Sequence, residues 1–454
     1  MRSVESLKAD PLYGLDSRWS WITAVSCSCM LFMATCSVRV TGVLFYGIVG
    51  TFGVTREEAS WPVTLNGCML NLAGPLMGYL CRRFSCRNVL VTCSLLCGLG
   101  ISLCFFAQGV LFINIFFGLL HGITLSGIFV GVNVLVSQHF EKRRNTAHSL
   151  LFTVTGLNTF AITTIVEYCR ETYGTRGAFL LLGAIVFNTF PASILLRSPI
   201  WTVYIESSKK SSSKGTSQQT TTVAKPKALG TLLAADLKSR DDAVKLRANA
   251  AAIRAANSAK LARTSVVDDW TGSVESFLEL NVNQKPPQRS HTRAVTLRET
   301  SKQFLTPSFV IIALSFAVVV FGMTTFTLLS VDLAKDRGIS PSEAIYLLHA
   351  FTAGDIVFRA LTGFVIDSGV LSLEAVMLLG YLVQSFAFEL LVWSGTLPMM
   401  LLCSVFVGVS NGSRISLQAP SLIKSFGIDT LPIMMGGMVF CIGALSLGRP
   451  ALVG

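Results

Sequence analysis

"AIYLLHAFTAGDIVFRALTGFVI" occupies residues 344–366. Its length and apolar character decide the fold, because a helix of about 20 mostly apolar residues crosses a bilayer. Two residues resist that reading. Asp355 and Arg359 sit near its middle, the costliest depth for a charge. Their spacing of four places them one turn apart on one helix face. Facing lipid and unpaired, they would be very unfavourable. Paired and turned to a polar cavity, they become tolerable. They read either as a substrate and proton site or as an ion pair that locks helices together.

The rest of the 454-residue chain fits a membrane protein, with 51% hydrophobic and 14% charged residues and a mean hydropathy of +0.60. A soluble chain of this length carries roughly 25% charged residues. Besides 344–366, apolar stretches run over 20–48, 60–80, 88–107, 110–137, 146–167, 177–197, 307–331, 371–393, 398–421 and 431–453, eleven in all. Only helices and closed barrels satisfy the backbone in lipid, and these runs are too long and continuous for barrel strands. The predicted fold class is therefore an all-α membrane protein.

Residues 198–304 differ in kind. The segment contains "SSKKSSSKGTSQQTTT" at 207–222 and no apolar span, a composition that favours disorder. Within it, the Ala- and Leu-rich stretch 229–263 with interleaved charges predicts a surface helix. The segment holds 17 Lys and Arg against nine acids. Arg82, Arg83 and Arg87 follow the second apolar stretch, and Lys142, Arg143 and Arg144 follow the fourth. All these basic groups fall on one side of the membrane, which the positive-inside rule makes cytosolic. Opposite loops such as "TREEAS" at 55–60 are balanced or acidic. The N-terminal segment 1–19 is then cytosolic as well. The net charge of +12 suits loops facing anionic lipid, and nucleic-acid-binding signatures are absent.

Six helices over 20–197, a long loop over 198–304 and more helices over 305–454 form the plan of the major facilitator superfamily. A weak repeat supports it: Gly78, Arg82 and Arg83 follow the second stretch, as Gly363, Asp367 and Gly369 follow the eighth. Two six-helix bundles are expected on that plan. The count stops at eleven, so the second bundle reads as truncated with its twelfth helix missing, or as a genuine eleven-helix variant.

Other polar residues inside the spans are candidates of different weight. Arg39 is either a second cation facing the cavity, favouring an anionic substrate, or an arginine that snorkels to the interface. Arg414 lines the cavity or reaches a helix end. Glu389 snorkels, His349 points away from Asp355, and His121 in a glycine-rich run bonds between helices. Pro75 kinks its helix, and Gly74, Gly78, Gly118, Gly122, Gly127 and Gly131 allow close helix packing. Nearly all twelve cysteines lie in apolar runs and read as small buried residues. No Walker loop, serine elbow or metal-ligand cluster is present, so neither an ATP-driven pump nor an enzyme is indicated, and no cofactor or metal is called for.

Several stretches resemble the monocarboxylate transporter family of that superfamily: "DSRWSW" at 16–21, "EASW" at 58–61, "HFEKRRNTAHSL" at 139–150, "TRGAFLLLGAI" at 175–185 and "AGDIVFRALTG" at 353–363. The resemblance covers both halves and excludes the long loop. It implies alternating-access transport of small carboxylates across the plasma membrane, sometimes with a single-pass immunoglobulin-like chaperone. It implies that Asp355 couples to protons, that Arg359 receives the substrate carboxylate, and that Arg39 stands where lactate-carrying members have lysine. Ser17, Arg18 and Ser20 depart from the family's first motif. Arginine effectively cannot lose its proton as lysine can, so cycling a proton on Arg39 is excluded. A facilitator of amino acids or other uncharged or zwitterionic solutes, and a non-transporting receptor-like protein, remain the rival readings.

Overall fold

The computed structural model describes residues 8–196, 198–199, 201 and 303–446. The surface helix predicted over 229–263 lies outside these residues, as does the end of the stretch 431–453. Each of the eleven apolar stretches is helical where it is described, and no β-strand occurs among the described residues.

Residues expected to form one helix over 20–48 instead form three: α1 (Arg18–Ala34), α2 (Cys36–Arg39) and α3 (Thr41–Phe52). Side chains enter the hydrogen-bond ladder at the break, which is a recognised cause of helix interruption. Thr35 Oγ1 donates to the Leu31 carbonyl at 2.7 Å, and Asn158 Nδ2 donates to the Phe32 carbonyl at 2.8 Å. The four-residue turn α2 that results carries Arg39 at its end.

The next helix is also divided, into α4 (Arg56–Leu72) and α5 (Gly74–Phe84). Thr55 and Glu58 form a capping box at the start of α4. Pro75 lies in the first turn of α5, where its missing N–H costs nothing, so the kink expected there is a full interruption at Ala73. Then come α6 (Cys86–Leu103) and α7 (Val110–His139), which widens into a π-helix over Asn114–His121. α8 (Arg144–Gly156) is followed by α9 (Asn158–Phe187) and α10 (Thr189–Leu195). Gly174 adopts φ 73° inside α9, a left-handed conformation that glycine takes without a Cβ clash. That bend separates the stretches expected at 146–167 and 177–197.

After residue 303 come α11 (Pro307–Asp336), α12 (Pro341–Asp367), α13 (Leu373–Trp393), α14 (Leu397–Ile415), α15 (Gln418–Phe426) and α16 (Leu431–Ser446). Among the described residues, seven stretches are long and apolar enough to cross a membrane: Cys86–Phe106, Val110–His139, Thr164–Leu195, Pro307–Thr327, Glu343–Asp367, Leu373–Trp393 and Leu397–Phe426. Thr41–Phe52 and Leu431–Ser446 are shorter apolar helices.

Glycines bring several backbones together, as membrane helices favour. A Cβ on Gly412 would collide with the Asp355 carbonyl, and one on Gly408 with the Phe351 carbonyl, so α14 lies flush against α12. The two halves of the sequence meet in the same manner. Gly363 of α12 abuts the Asn145 carbonyl at the start of α8, and Gly78 of α5 abuts the Pro432 carbonyl at the start of α16. The weak glycine repeat of the sequence therefore marks two equivalent contacts.

The first of these contacts carries an acid. Asp367 closes α12 and caps α8: Oδ1 accepts from Asn145 Nδ2, and Oδ2 accepts from both the Thr146 N–H and Thr146 Oγ1, each at 2.7 Å. A carboxylate at a helix N-terminus gains from free N–H groups and the helix dipole. Nearby, Asp16 sits at φ 54° and its carboxylate accepts from the backbone N–H groups of Glu141, Lys142 and Arg143 at 2.9–3.2 Å. This ties the chain before α1 to the turn between α7 and α8.

Candidate functional site

Arg39, Asp355 and Arg359 meet on one cavity of about 130 Å³. That volume is below the ~300–1,000 Å³ of sites for drug-sized ligands, and it suits a small molecule. Arg39 and Gly156 line it from the first half of the sequence; Met323, Thr327, Leu348, Phe351, Thr352, Asp355 and Arg359 line it from the second. Both halves thus supply a guanidinium, and Met323, Leu348 and Phe351 add an apolar part.

Asp355 and Arg359 are each only 4% exposed. Arg359 Nη2 donates to Asp355 Oδ2 at 2.6 Å, as their spacing on the helix face requires. The other carboxylate oxygen, Oδ1, accepts from Asn411 Nδ2 of α14 at 2.7 Å. This bond depends on the glycine-lined contact between α12 and α14. Arg359 Nη1 donates to the Phe152 carbonyl of α8 at 3.2 Å, while its Nε finds no protein partner among the described residues. Gly156 stands beside that guanidinium, where a Cβ would lie 3.6 Å from Nη1. Sequence reasoning did not find Asn411, Phe152 or Gly156. Asn411 stands in "SNGSR", but only the register of α14 on α12 identifies its partner.

Arg39 is half-buried and makes no hydrogen bond or ion pair among the described residues. Its charged neighbours are Arg359 and Asp355. It lines the cavity. Behind it, Ser37 Oγ lies 2.7 Å from His121 Nε2, and His121 Nδ1 lies 3.1 Å from Cys97 Sγ. His121 thus links α2, α6 and α7, the interhelical bonding expected of it.

Arg414 does not line this cavity. It is 1% exposed and turned toward α13, where its guanidinium carbon lies 4.4 Å from the Tyr381 ring centroid. Its Nη2 donates to Gln384 Oε1 and Ser410 Oγ, and its Nε to the Ser410 carbonyl at 2.8 Å. Of the two places read for Arg414, it takes the helix end, in the last turn of α14, where it forms a buried cation–π contact. It is wedged there because Gly380 offers no Cβ: one built on it would meet the Arg414 side chain. Glu389 accepts from Trp393 Nε1 at 2.9 Å on the surface, and His349 is exposed beside Tyr346. Among the described residues, no group of three His, Cys, Asp or Glu is placed to hold a metal ion.

An all-helical, multi-pass membrane protein with a small charged cavity shared by both halves of its sequence has the architecture of a transmembrane transporter. The model of the Major Facilitator Superfamily matches residues 27–330, more than half of the chain, and the chain belongs to that superfamily. It is similar to human (Homo sapiens) monocarboxylate transporter 14, with 28% identity over 196 residues, 43% of this chain and 38% of that one. It is similar to mouse (Mus musculus) monocarboxylate transporter 4, with 25% identity over 182 residues, 40% of this chain and 39% of that one. The match thus spans about two fifths of the length of these relatives, whose names bear out the resemblance read from the sequence motifs. Among solved structures, the superfamily's proton:xylose symporter XylE bound to 6-bromo-6-deoxy-D-glucose shares the fold, with a TM-score of 0.60 and 13% identity over 96% of this chain and 88% of that one. These relatives are transporters by name.

Proposed function

We propose that this protein carries small monocarboxylates across the membrane by alternating access. One observation supports the reading above all others. An unpaired guanidinium from one half of the sequence and a braced Asp355–Arg359 pair from the other face the same small cavity. The cargo carboxylate docks between Arg39 and Arg359. Arg359 keeps N–H donors beyond those spent on Asp355 and Phe152, and a guanidinium matches a carboxylate with two parallel hydrogen bonds. Asp355 orients Arg359, and Met323, Leu348 and Phe351 receive the apolar remainder of the cargo. The contacts between halves at Asn145–Gly363 and Pro432–Gly78 support a conformation closed at the basic end of the helices. With that end cytosolic and the protein in the plasma membrane, the cavity serves the outer face.

The test is uptake of a radiolabelled panel of carboxylates and amino acids at two pH values. Arg359→Lys keeps the charge and loses the fork. It is expected to abolish carboxylate uptake while surface expression stays normal. Uptake of a zwitterion that ignores this substitution rejects the carboxylate reading. Ligand binding without flux would favour a receptor.

A further inference from the structure

The charges around the cavity do not cancel. Both oxygens of Asp355 are taken, by Arg359 at 2.6 Å and by Asn411 at 2.7 Å, and Asp355 is the only acid among the residues lining the cavity. Arg39 is left over, and an arginine keeps its proton at any physiological pH. The other titratable side chains on the surrounding helices turn elsewhere. His121 of α7 faces Ser37 and Cys97. His148 of α8 bonds Ser137 at 2.9 Å. Arg414 of α14 lies against Tyr381. His349 of α12 is exposed beside Tyr346. Glu167 and Arg170 of α9 pair with each other at 2.6 Å. Among the described residues, nothing supplies the missing negative charge; a bound monoanion would.

Resting on the carboxylate reading above, we propose that this protein exchanges one small monoanion for another and moves no proton. With an anion on Arg39, the loaded site is neutral, since Arg359 and Asp355 cancel. Without one, an uncompensated guanidinium must be enclosed by low-dielectric walls while the site changes sides. Burying an unpaired charge is strongly penalised, and pairing offsets that penalty. The loaded protein therefore reorients readily in either direction and the empty one reorients rarely. An anion entering is matched by an anion leaving. No bond is made or broken, no proton is bound or released, and no net charge crosses.

The test uses the purified full chain in proteoliposomes, with labelled pyruvate outside and unlabelled pyruvate, unlabelled lactate or buffer alone inside. Uptake into anion-loaded vesicles should exceed uptake into empty ones by about a hundredfold or more, the scale of a stranded buried charge. An imposed pH gradient or potassium diffusion potential should leave the exchange rate unchanged. Arg39→Gln makes the empty site neutral, so the ratio of loaded to empty uptake should fall toward one even as the KM for pyruvate rises. Equal uptake into loaded and empty wild-type vesicles, or pyruvate accumulation driven by external acid, overturns exchange while leaving the carboxylate reading intact. Pyruvate that raises the Tm of the purified protein but is not taken up under any load also overturns it. If neither pyruvate nor lactate is taken up or raises the Tm, the carboxylate reading falls as well.

Discussion

Asp367→Asn should loosen the contact that holds the two halves of the chain together at the basic end. The asparagine keeps the shape and can present one oxygen to the Thr146 N–H and Oγ1. Its amide nitrogen then faces Asn145, which turns its own amide so that Oδ1, otherwise without a partner among the described residues, accepts from it. All three bonds therefore survive but drop from charge-assisted to neutral strength, each losing about 1 kcal/mol. Charge-assisted hydrogen bonds contribute about 1.5–3 kcal/mol against about 1 for neutral ones, so the sum of losses approaches about 3 kcal/mol. Asp367 is only partly buried, and solvent screening reduces the figure to about half. The closed-to-open ratio at this end should therefore fall by roughly tenfold, at ~1.4 kcal/mol per factor of ten. Ser149 provides the reporter, being fully buried in the contact, with its Oγ 3.4 Å from Ser416 Oγ. Ser149→Cys is introduced where Cys29, Cys68, Cys169 and Cys441, the cysteines not buried, have been replaced by serine. Its maleimide labelling rate in detergent is then measured with and without Asp367→Asn. A tenfold faster rate is expected. A change of less than twofold would refute the claim that this carboxylate holds the end shut.

Gly412→Ala drives a methyl into the Asp355 carbonyl, so α14 must retreat by roughly an ångström to regain ordinary contact. The Asn411–Asp355 bond does not survive that shift, and overpacking adds about 1–3 kcal/mol. The Tm should fall by several degrees and carboxylate affinity with it, whereas Gly395→Ala, which meets nothing within 4 Å, should change neither. Arg414→Ala removes a buried cation–π contact worth about 2 kcal/mol and strands Gln384. It should lower the Tm without moving the KM for cargo, and a KM shift beyond threefold would return Arg414 to the site.

The apolar stretches were legible because length and hydropathy are local properties of a chain in lipid. The Asp355–Arg359 pair was legible for a similar reason: four residues along a helix are a fixed distance in space. Arg39 was harder. Nothing local separates a cavity-facing arginine from a snorkelling one, and the break that aims it depends on Asn158, more than a hundred residues away in sequence. The interruption at Thr35 was missed because side chains from other helices compete for carbonyls that hydropathy does not register. The Asp367 cap was half legible: the glycine-plus-charge repeat marked its place, but its partners Asn145 and Thr146 lie in the other half. Arg414 was half legible: its place near a helix end was read, but a buried arginine without a carboxylate also suggests a cavity, and an aromatic face satisfies it equally well.

The flush contact of α12 with α14 has a mechanical corollary. With no slack at Gly408 and Gly412, Asp355, Arg359 and Asn411 form one stiff jaw. Arg39 forms the opposing jaw and hangs from a four-residue turn. In a protein that rocks, the gap between them acts as a caliper: a molecule too short leaves the jaws disengaged, and one too long props them apart. Selection by length then follows from how far the instrument can close.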